Sequence, residues 1–168
     1  MNLVSRLKDD FHFCCQELLG AGYEGELIFE SGWEDGKNLA ECLRQDQSRD
    51  RARGFTHSGP HRADLRIELH AHSAQVDASH GQYKLLVMAL RLAQIRKFIG
   101  SGNRHCCLLI DDLAAELDLE HRARLARFLS RLPAQLFITA TEAALIERRS
   151  WPSHKAFHVE QGTIEERT

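Results

Sequence analysis

The chain of 168 residues is short of several things, and each shortage removes a class of protein. No apolar run approaches the roughly 20 residues that cross a bilayer as a helix. The opening stretch MNLVSRLKDDFHFCCQELL carries charges throughout and no clean apolar block, which excludes a secretory signal and leads us to expect a soluble, cytoplasmic protein with no membrane partner. The five cysteines make no CxxC: Cys14–Cys15 and Cys106–Cys107 are adjacent pairs and Cys42 stands alone. Neither a zinc site nor a disulfide framework follows, and the thiols read as small buried apolar groups. Strong charge of one sign is missing too. With a formal net charge of -2, any contact with nucleic acid has to use a local basic patch. Internal repeats and low-complexity tracts are absent. So is the pattern G-x-x-x-x-G-K-[ST], the Gly-rich loop that cradles phosphates.

What is present suits one domain, or a compact lobe with a small appendage: 43% hydrophobic and 27% charged residues can build an ordinary core. Residues 1–20 carry Leu3, Leu7, Phe11, Cys14/Cys15 and Leu18 at helical spacing, and Gly20, Gly22 and Gly25 break that helix. Glu26–Glu30 reads as a short strand. A second helix is expected from Asn38, where Asn38 and Glu41 form the N-x-x-E of a capping box. It turns very polar through residues 44–53 and ends at Gly54. Beyond Gly54 the texture changes. Leu65, Ile67 and Leu69 alternate with Arg66, Glu68 and His70, the period-two pattern of a half-buried strand. The strongest helix covers 82–99, with Leu85, Met88/Ala89, Leu92, Ile95 and Ile99 on one face. Residues 106–110 and 134–140 read as buried strands, the first of parallel type, and 119–131 as an amphipathic helix capped by Asp118. A short helix over 142–149 and a hairpin, Ala156–Glu160 with Thr163–Glu166, complete the chain. Strands alternating with helices predict an α/β architecture.

Three stretches carry chemistry. Cys106-Cys-Leu-Leu-Ile-Asp-Asp112 is an apolar strand ending in two carboxylates. Open α/β sheets bind ligands at that edge, and a hard cation such as Mg²⁺ wants oxygen donors there. One carboxylate can hold the metal while the other orients or deprotonates an attacking water. Strand-Asp-Asp by itself is equally compatible with the start of a loop or a turn cap. Ala78-Ser-His-Gly-Gln-Tyr-Lys84 opens the long helix, and a Ser and a Gly there expose backbone N–H groups to a phosphate oxygen. An ordinary N-cap explains the same residues. Thr56-His-Ser-Gly-Pro-His-Arg-Ala-Asp-Leu65 is a turn entering a strand, in which Arg62 can meet a phosphate or form a surface ion pair with Asp64.

Taken in order, these stretches resemble the RecF family of DNA replication and repair proteins, ABC-type ATPases related to SMC and Rad50. The run Leu-Leu-Ile-Asp-Asp-Leu-Ala-Ala-Glu-Leu-Asp-Leu-Glu-His-Arg-Ala-Arg-Leu resembles the family's Walker B and D-loop region. The resemblance implies Asp111 as the Mg²⁺-associated aspartate, Asp112 as the catalytic carboxylate and Asp118 as a D-loop residue facing a partner subunit. Ser79-His-Gly-Gln-Tyr-Lys84 with Leu-Leu-Val-Met-Ala-Leu-Arg-Leu-Ala-Gln94 resembles the ABC signature, which caps ATP held by the other subunit through Ser79, His80, Gly81, Gln82 and Lys84. His80 and Tyr83 depart from the usual arginine and glutamine, which weakens the charge near the nucleotide. Gly-Pro-His-Arg-x-Asp-Leu resembles the stretch where the family's chain returns from its helical lobe, with Arg62 as a candidate DNA contact. Where ABC ATPases often place a γ-phosphate-sensing histidine, Phe-Ile-Thr-Ala-Thr141 offers Thr139 or Thr141.

The implied fold is a partial ABC-type ATPase head, a P-loop NTPase-like sheet with flanking helices, plus part of a helical second lobe. Residues 1–54 would belong to lobe II and 55–168 to the ATPase lobe. The family places its Walker A loop in the amino-terminal part, so the chain corresponds to a carboxyl-terminal portion. The implied function is an ATP- and Mg²⁺-dependent DNA-binding clamp of recombinational repair and replication restart. It would act as a homodimer at single-stranded/duplex junctions, with other recombination mediator proteins as partners. Without Walker A this chain is expected to be inactive alone. Two alternatives stand beside it: a non-enzymatic module that binds a partner head or repair protein, and an SMC/Rad50-type head. Gly32-Trp-Glu-Asp-Gly-Lys-Asn38 only imitates a phosphate loop: it is one residue short between its glycines, acidic inside, and has Asn where Ser or Thr must meet Mg²⁺. The histidine pairs His57/His61 and His70/His72 lack carboxylate or thiol partners at a useful sequence spacing and read as solvated or packed. The arginines of 44–66, offset by Glu41, Asp46, Asp50 and Asp64, read as a solvated face.

Overall fold

A computed structural model describes residues 3–70, 72–102, 106–112, 117–146, 151 and 153–167. It divides into two compact units, Met1–Lys97 and Phe98–Thr168.

The first unit begins with helix α1 (Leu3–Leu19), whose apolar spacing buries Leu7, Phe11, Cys14, Cys15, Leu18 and Leu19. Strand β1 (Gly25–Glu30) lies directly against it. Gly25 is glycine because a Cβ there would stand 2.5 Å from the Cys15 sulfur and 3.0 Å from the Phe11 ring. Burial pushes the thiols of Cys14 and Cys15 up to about 12, so both act as apolar packing groups. Helix α2 (Leu39–Arg53) starts on the expected capping box: Glu41 N–H donates to the Asn38 side chain at 2.9 Å, and the Glu41 carboxylate accepts from Asn38 N–H at 3.3 Å. It stops at Gly54, whose φ of +76° lets its N–H return to the Asp50 carbonyl at 2.8 Å.

A 3₁₀ turn (Pro60–Arg62) leads into β2 (Asp64–Leu69) and β3 (His72–Ser73). The sheet has the order β1-β2-β3 and is antiparallel throughout, with Leu27 opposite Ile67. The β1–β2 pairing joins residues on either side of Gly54 within this unit. After α3 (Ala74–Asp77) comes α4 (His80–Gly100), which buries Leu85, Leu86, Ala89, Leu92 and Ala93. Its stripe includes Leu86 and Ala93, while Ile95 and Ile99 are only half-buried. Near its end Arg96 reaches α1, donating to Asp10 at 3.1 Å and lying 4.3 Å from the centroid of the Phe13 ring.

In the second unit β4 (Cys107–Ile110) and β5 (Gln135–Ile138) pair in parallel, joined through α5 (Leu119–Ser130), and β6 (Ala156–Glu160) and β7 (Thr163–Arg167) form the expected hairpin. Three expectations need correction. The parallel strands are buried on neither face as fully as their apolar run suggested: Leu109 is 74% and its register partner Phe137 52% exposed. Alternation sends Cys107 to the same open face, so this thiol is exposed and Cys106 half-buried, unlike the other three. In place of a helix over 142–149 there is one 3₁₀ turn, Ala143–Leu145, closed by Leu145 N–H to the Glu142 carbonyl at 3.1 Å. So short a segment gains too few bonds to nucleate an α-helix; residues 147–150 of that expectation lie outside the described residues.

Candidate functional site

The parallel pairing of β4 with β5 positions the first group of residues. Register sets Ile110 opposite Ile138, so the residue after each strand meets its counterpart at the carboxyl edge. There the Thr139 hydroxyl donates to the Asp111 carboxylate and accepts the Asp112 N–H at 2.9 Å. Asp112 has a φ of +47°, in the left-handed region that Asp and Asn tolerate better than most residues. Both aspartates are exposed beyond the strand end. Such a hard oxygen pair fits Mg²⁺, which usually keeps several waters and takes only one or two carboxylates. Among the described residues no cluster of three or more His, Cys, Asp or Glu side chains is close enough to cage a metal. The pair would therefore share a cation with water or with a bound phosphate. Of the two threonines considered as stand-ins for a sensing histidine, Thr139 is brought to the aspartates and Thr141 lies further along, in a bend.

Asp118 begins α5 as expected. Its carboxylate accepts His121 N–H at 2.9 Å and pairs with the His121 ring at 2.8 Å. These bonds, the backbone one first, hold the Asp118 carboxyl below the usual carboxylate range. Ala115 and Glu116 of the same stretch lie outside the described residues. A depressed folded-state value means that the cap contributes its stability above the unfolded-state value and loses it as pH falls through the folded one. Asp118→Ala should accordingly lower Tm at neutral pH, and the gap from the unmodified chain should narrow as acidification protonates the carboxylate. A constant gap across a calorimetric pH series would show that the carboxylate charge is not what caps α5.

The other candidate residues, 79–84, lie in the first unit. Ser79 and Gln82 form a reciprocal capping box: Gln82 N–H donates to Ser79 Oγ at 3.2 Å and Ser79 N–H to Gln82 Oε1 at 2.9 Å. The Gln82 amide also lies 3.5 Å from the Tyr23 hydroxyl. His80 and Gly81 are exposed at the start of α4, and Lys84 is half-buried one turn on. A Cβ at Gly81 would meet nothing within 4 Å, so packing within the chain does not call for glycine there. Glycine nonetheless gives up as much as about 1 kcal/mol against alanine in a helix.

Arg62 does not pair with Asp64. Its guanidinium lies 6.0 Å from the Phe55 ring centroid, while the Asp64 carboxylate accepts the N–H of Leu65 at 2.8 Å. His57 has the carboxylate partner that its sequence neighbours did not suggest: its ring nitrogen Nδ1 is 2.8 Å from Asp50, and Arg53 donates to Nε2 at 2.7 Å. An arginine only donates, which places the ring proton on Nδ1. Asp50 and His57 stand seven residues apart, across the αL turn at Gly54, so helical spacing alone gave no signal. In the phosphate-loop lookalike, Lys37 is engaged by Glu34 at 2.7 Å, a bond that raises its pKa, and Asn38 is spent on the α2 cap.

No protein-family model matches the chain. In sequence it is 44% identical over 170 residues to the DNA replication and repair protein RecF of Shewanella baltica, an alignment covering 96% of the chain and 47% of that relative. The chain thus spans about half the length of the curated relatives it matches. Its fold is similar to that of the recombination mediator protein RecF in complex with ATPrS, of the RecFOR pathway, with a TM-score of 0.69 at 19% identity over 96% of this chain and 44% of that one. A structure from work on ATP-driven dimerization and DNA-stimulated activation of SMC ATPases matches with a TM-score of 0.59 at 16% identity, covering 97% of this chain and 83% of that one. The fold is that of an ABC-type ATPase head, in part.

Proposed function

We propose, for a chain whose sequence matches RecF proteins over 96% of its length, that it forms the signature- and Walker B-bearing portion of an ATP-dependent DNA-binding clamp. The observation that carries this reading is the Asp111–Asp112 pair at the carboxyl edge of a parallel strand. Bound Mg²⁺–ATP would supply the phosphoryl centre that water attacks. Asp111 would hold the cation and Asp112 would orient the water and accept its proton. Ser79, His80, Gly81, Gln82, Lys84 and Asp118 would face the nucleotide of an opposing copy. The glycine at 81, unneeded by packing, suits the close approach of a phosphate.

In the same reading residues 1–54 belong to the helical second lobe and 55–168 to the ATPase lobe of a carboxyl-terminal portion. Single-stranded/duplex DNA junctions, a second head and other recombination mediator proteins are the partners, Arg62 is a candidate DNA contact, and the setting is the cytoplasm. No G-x-x-x-x-G-K-[ST] loop occurs in the 168 residues, which favours a second reading in which the chain alone is a binding module.

ATP titration of the chain, with and without duplex DNA and with and without a head that carries a Walker A loop, tests both readings. Alone, the chain should neither bind ATP tightly nor hydrolyse it. Beside the intact head it should join in an ATP-dependent way that Ser79→Arg abolishes. Turnover by the isolated chain that disappears with Asp112→Asn would sink the first expectation. Association indifferent to ATP and to Ser79→Arg would leave the plain binding module.

A further inference from the structure

We propose that Thr139 is a positioning residue for the Asp111–Asp112 pair: its hydroxyl locks the turn that presents both carboxylates, and it is not the group that senses phosphate. The proposal rests on the reading of these aspartates given above. Thr139 is tied to three consecutive residues, the last of β4 and the two that follow it. Its N–H donates to the Ile110 carbonyl at 2.9 Å, its hydroxyl donates to Asp111 Oδ1, and its oxygen accepts the Asp112 N–H at 2.9 Å. A threonine hydroxyl has one proton to give. With that proton on Asp111, none is left for a phosphate oxygen.

The locked residue needs holding. Asp112 sits at a φ of +47°, a conformation that disfavours any residue with a Cβ, and its amide bond to Thr139 offsets part of that cost. Committing Asp111 Oδ1 to the hydroxyl also leaves Oδ2 as the carboxylate oxygen free of this bond, which orients the group toward a cation. Threonine suits the task because its β-branch restricts χ1 and so presets the hydroxyl. Serine supplies the same donor and acceptor with more freedom, and valine has the shape with neither.

Backbone NMR of the isotope-labelled chain tests this in three forms: unmodified, Thr139→Ser and Thr139→Val. Thr139→Val should speed amide exchange at Asp112 about fivefold, the loss expected for one hydrogen bond, while Thr139→Ser stays near the unmodified rate. The β4–β5 ladder amides report whether the strands remain paired. Three-bond couplings in the unmodified chain should show one fixed Thr139 χ1 rotamer, a readout independent of any variant. Mn²⁺ added alone should broaden Asp111 and Asp112 in the unmodified chain, and less so in Thr139→Val. Averaged rotamers, or an Asp112 exchange rate indifferent to Thr139→Val with the ladder intact, would overturn the proposal. A fixed rotamer and protected Asp112 without Mn²⁺ broadening would support the lock and count against the metal-binding reading instead.

Discussion

Joined to an amino-terminal segment that carries a Walker A loop, the chain with Asp112→Asn is expected to hydrolyse ATP about 10²–10⁴-fold more slowly than with Asp112, the usual contribution of a positioned general base. Asparagine keeps the size and shape of the side chain but cannot take a proton from water. It is also among the residues that accept a left-handed backbone, so the φ of +47° at this position adds little strain to the variant. The amide bond from residue 112 to the Thr139 hydroxyl involves only backbone on that side and survives the change. Activity should therefore collapse while the thermal midpoint moves little. Asp112→Ala is the informative contrast: it adds about 1–2 kcal/mol of backbone strain to the same chemical loss. Steady-state turnover with a melting curve on each variant separates the effects. Retained turnover in Asp112→Asn would show that some other group activates the water, and the proposed role would have to be abandoned.

The largest stability effect is expected at a glycine far from the aspartates in sequence. Gly32→Ala should destabilise the chain by about 3 kcal/mol or more, because a left-handed backbone of this kind costs a non-glycine residue about 1–3 kcal/mol and steric overlap adds to it. Gly32 has a φ of +88°, and a Cβ there would lie 2.3 Å from the Gly59 carbonyl oxygen, 2.6 Å from Ala63 N and 2.7 Å from Arg62 C. All three are backbone atoms, so no side-chain rotation relieves the overlap. The same approach is held by Gly59 N–H donating to the Gly32 carbonyl at 2.9 Å. Gly36 is the control: its φ is +80°, but a Cβ there meets nothing within 4 Å. Urea unfolding should show a much larger midpoint shift for Gly32→Ala than for Gly36→Ala, and Gly32→Ala should also disturb the Gly59–Arg62 turn and the stacking of Arg62 on Phe55. Equal shifts would mean that backbone conformation alone, and not this contact, demands the glycine.

The contact with Gly32 also fixes the start of the Gly59-Pro60-His61-Arg62 turn. Its leading end is held at three points within the first unit. Ser58 Oγ donates to Asp46 at 2.6 Å, His57 bonds Asp50, and Gly59 rests on Gly32. Two of the acidic residues that read as neutralising an arginine-rich face, Asp46 and Asp50, thus hold this turn to α2, and Asp46 pairs with Arg49 at 2.9 Å as well. Arg62, resting on Phe55, is left on an exposed surface where a phosphate contact is sterically open.

Much of this protein follows from local chemistry along the chain. The Asn38–Glu41 box, the Asp118 cap, the period-two strand at 64–69 and the closing hairpin were legible because each signal and its partner lie within a few residues, where backbone geometry alone brings them together. The Asp-Asp strand end was legible as a pattern, and its order with the signature and the Gly-Pro-His-Arg stretch pointed to a family. What surrounds those residues was set by pairings between segments distant in the chain. Thr139 reaches Asp111 from 28 positions away because one parallel register, Ile110 opposite Ile138, brings the two strand ends level. Gly32 meets Gly59, and Asp50 meets His57, through turns whose direction no hydrophobic period encodes. The exposure of Leu109 and Phe137 could not be foreseen either, since an apolar run shows what a strand can bury and not which of its faces another element covers.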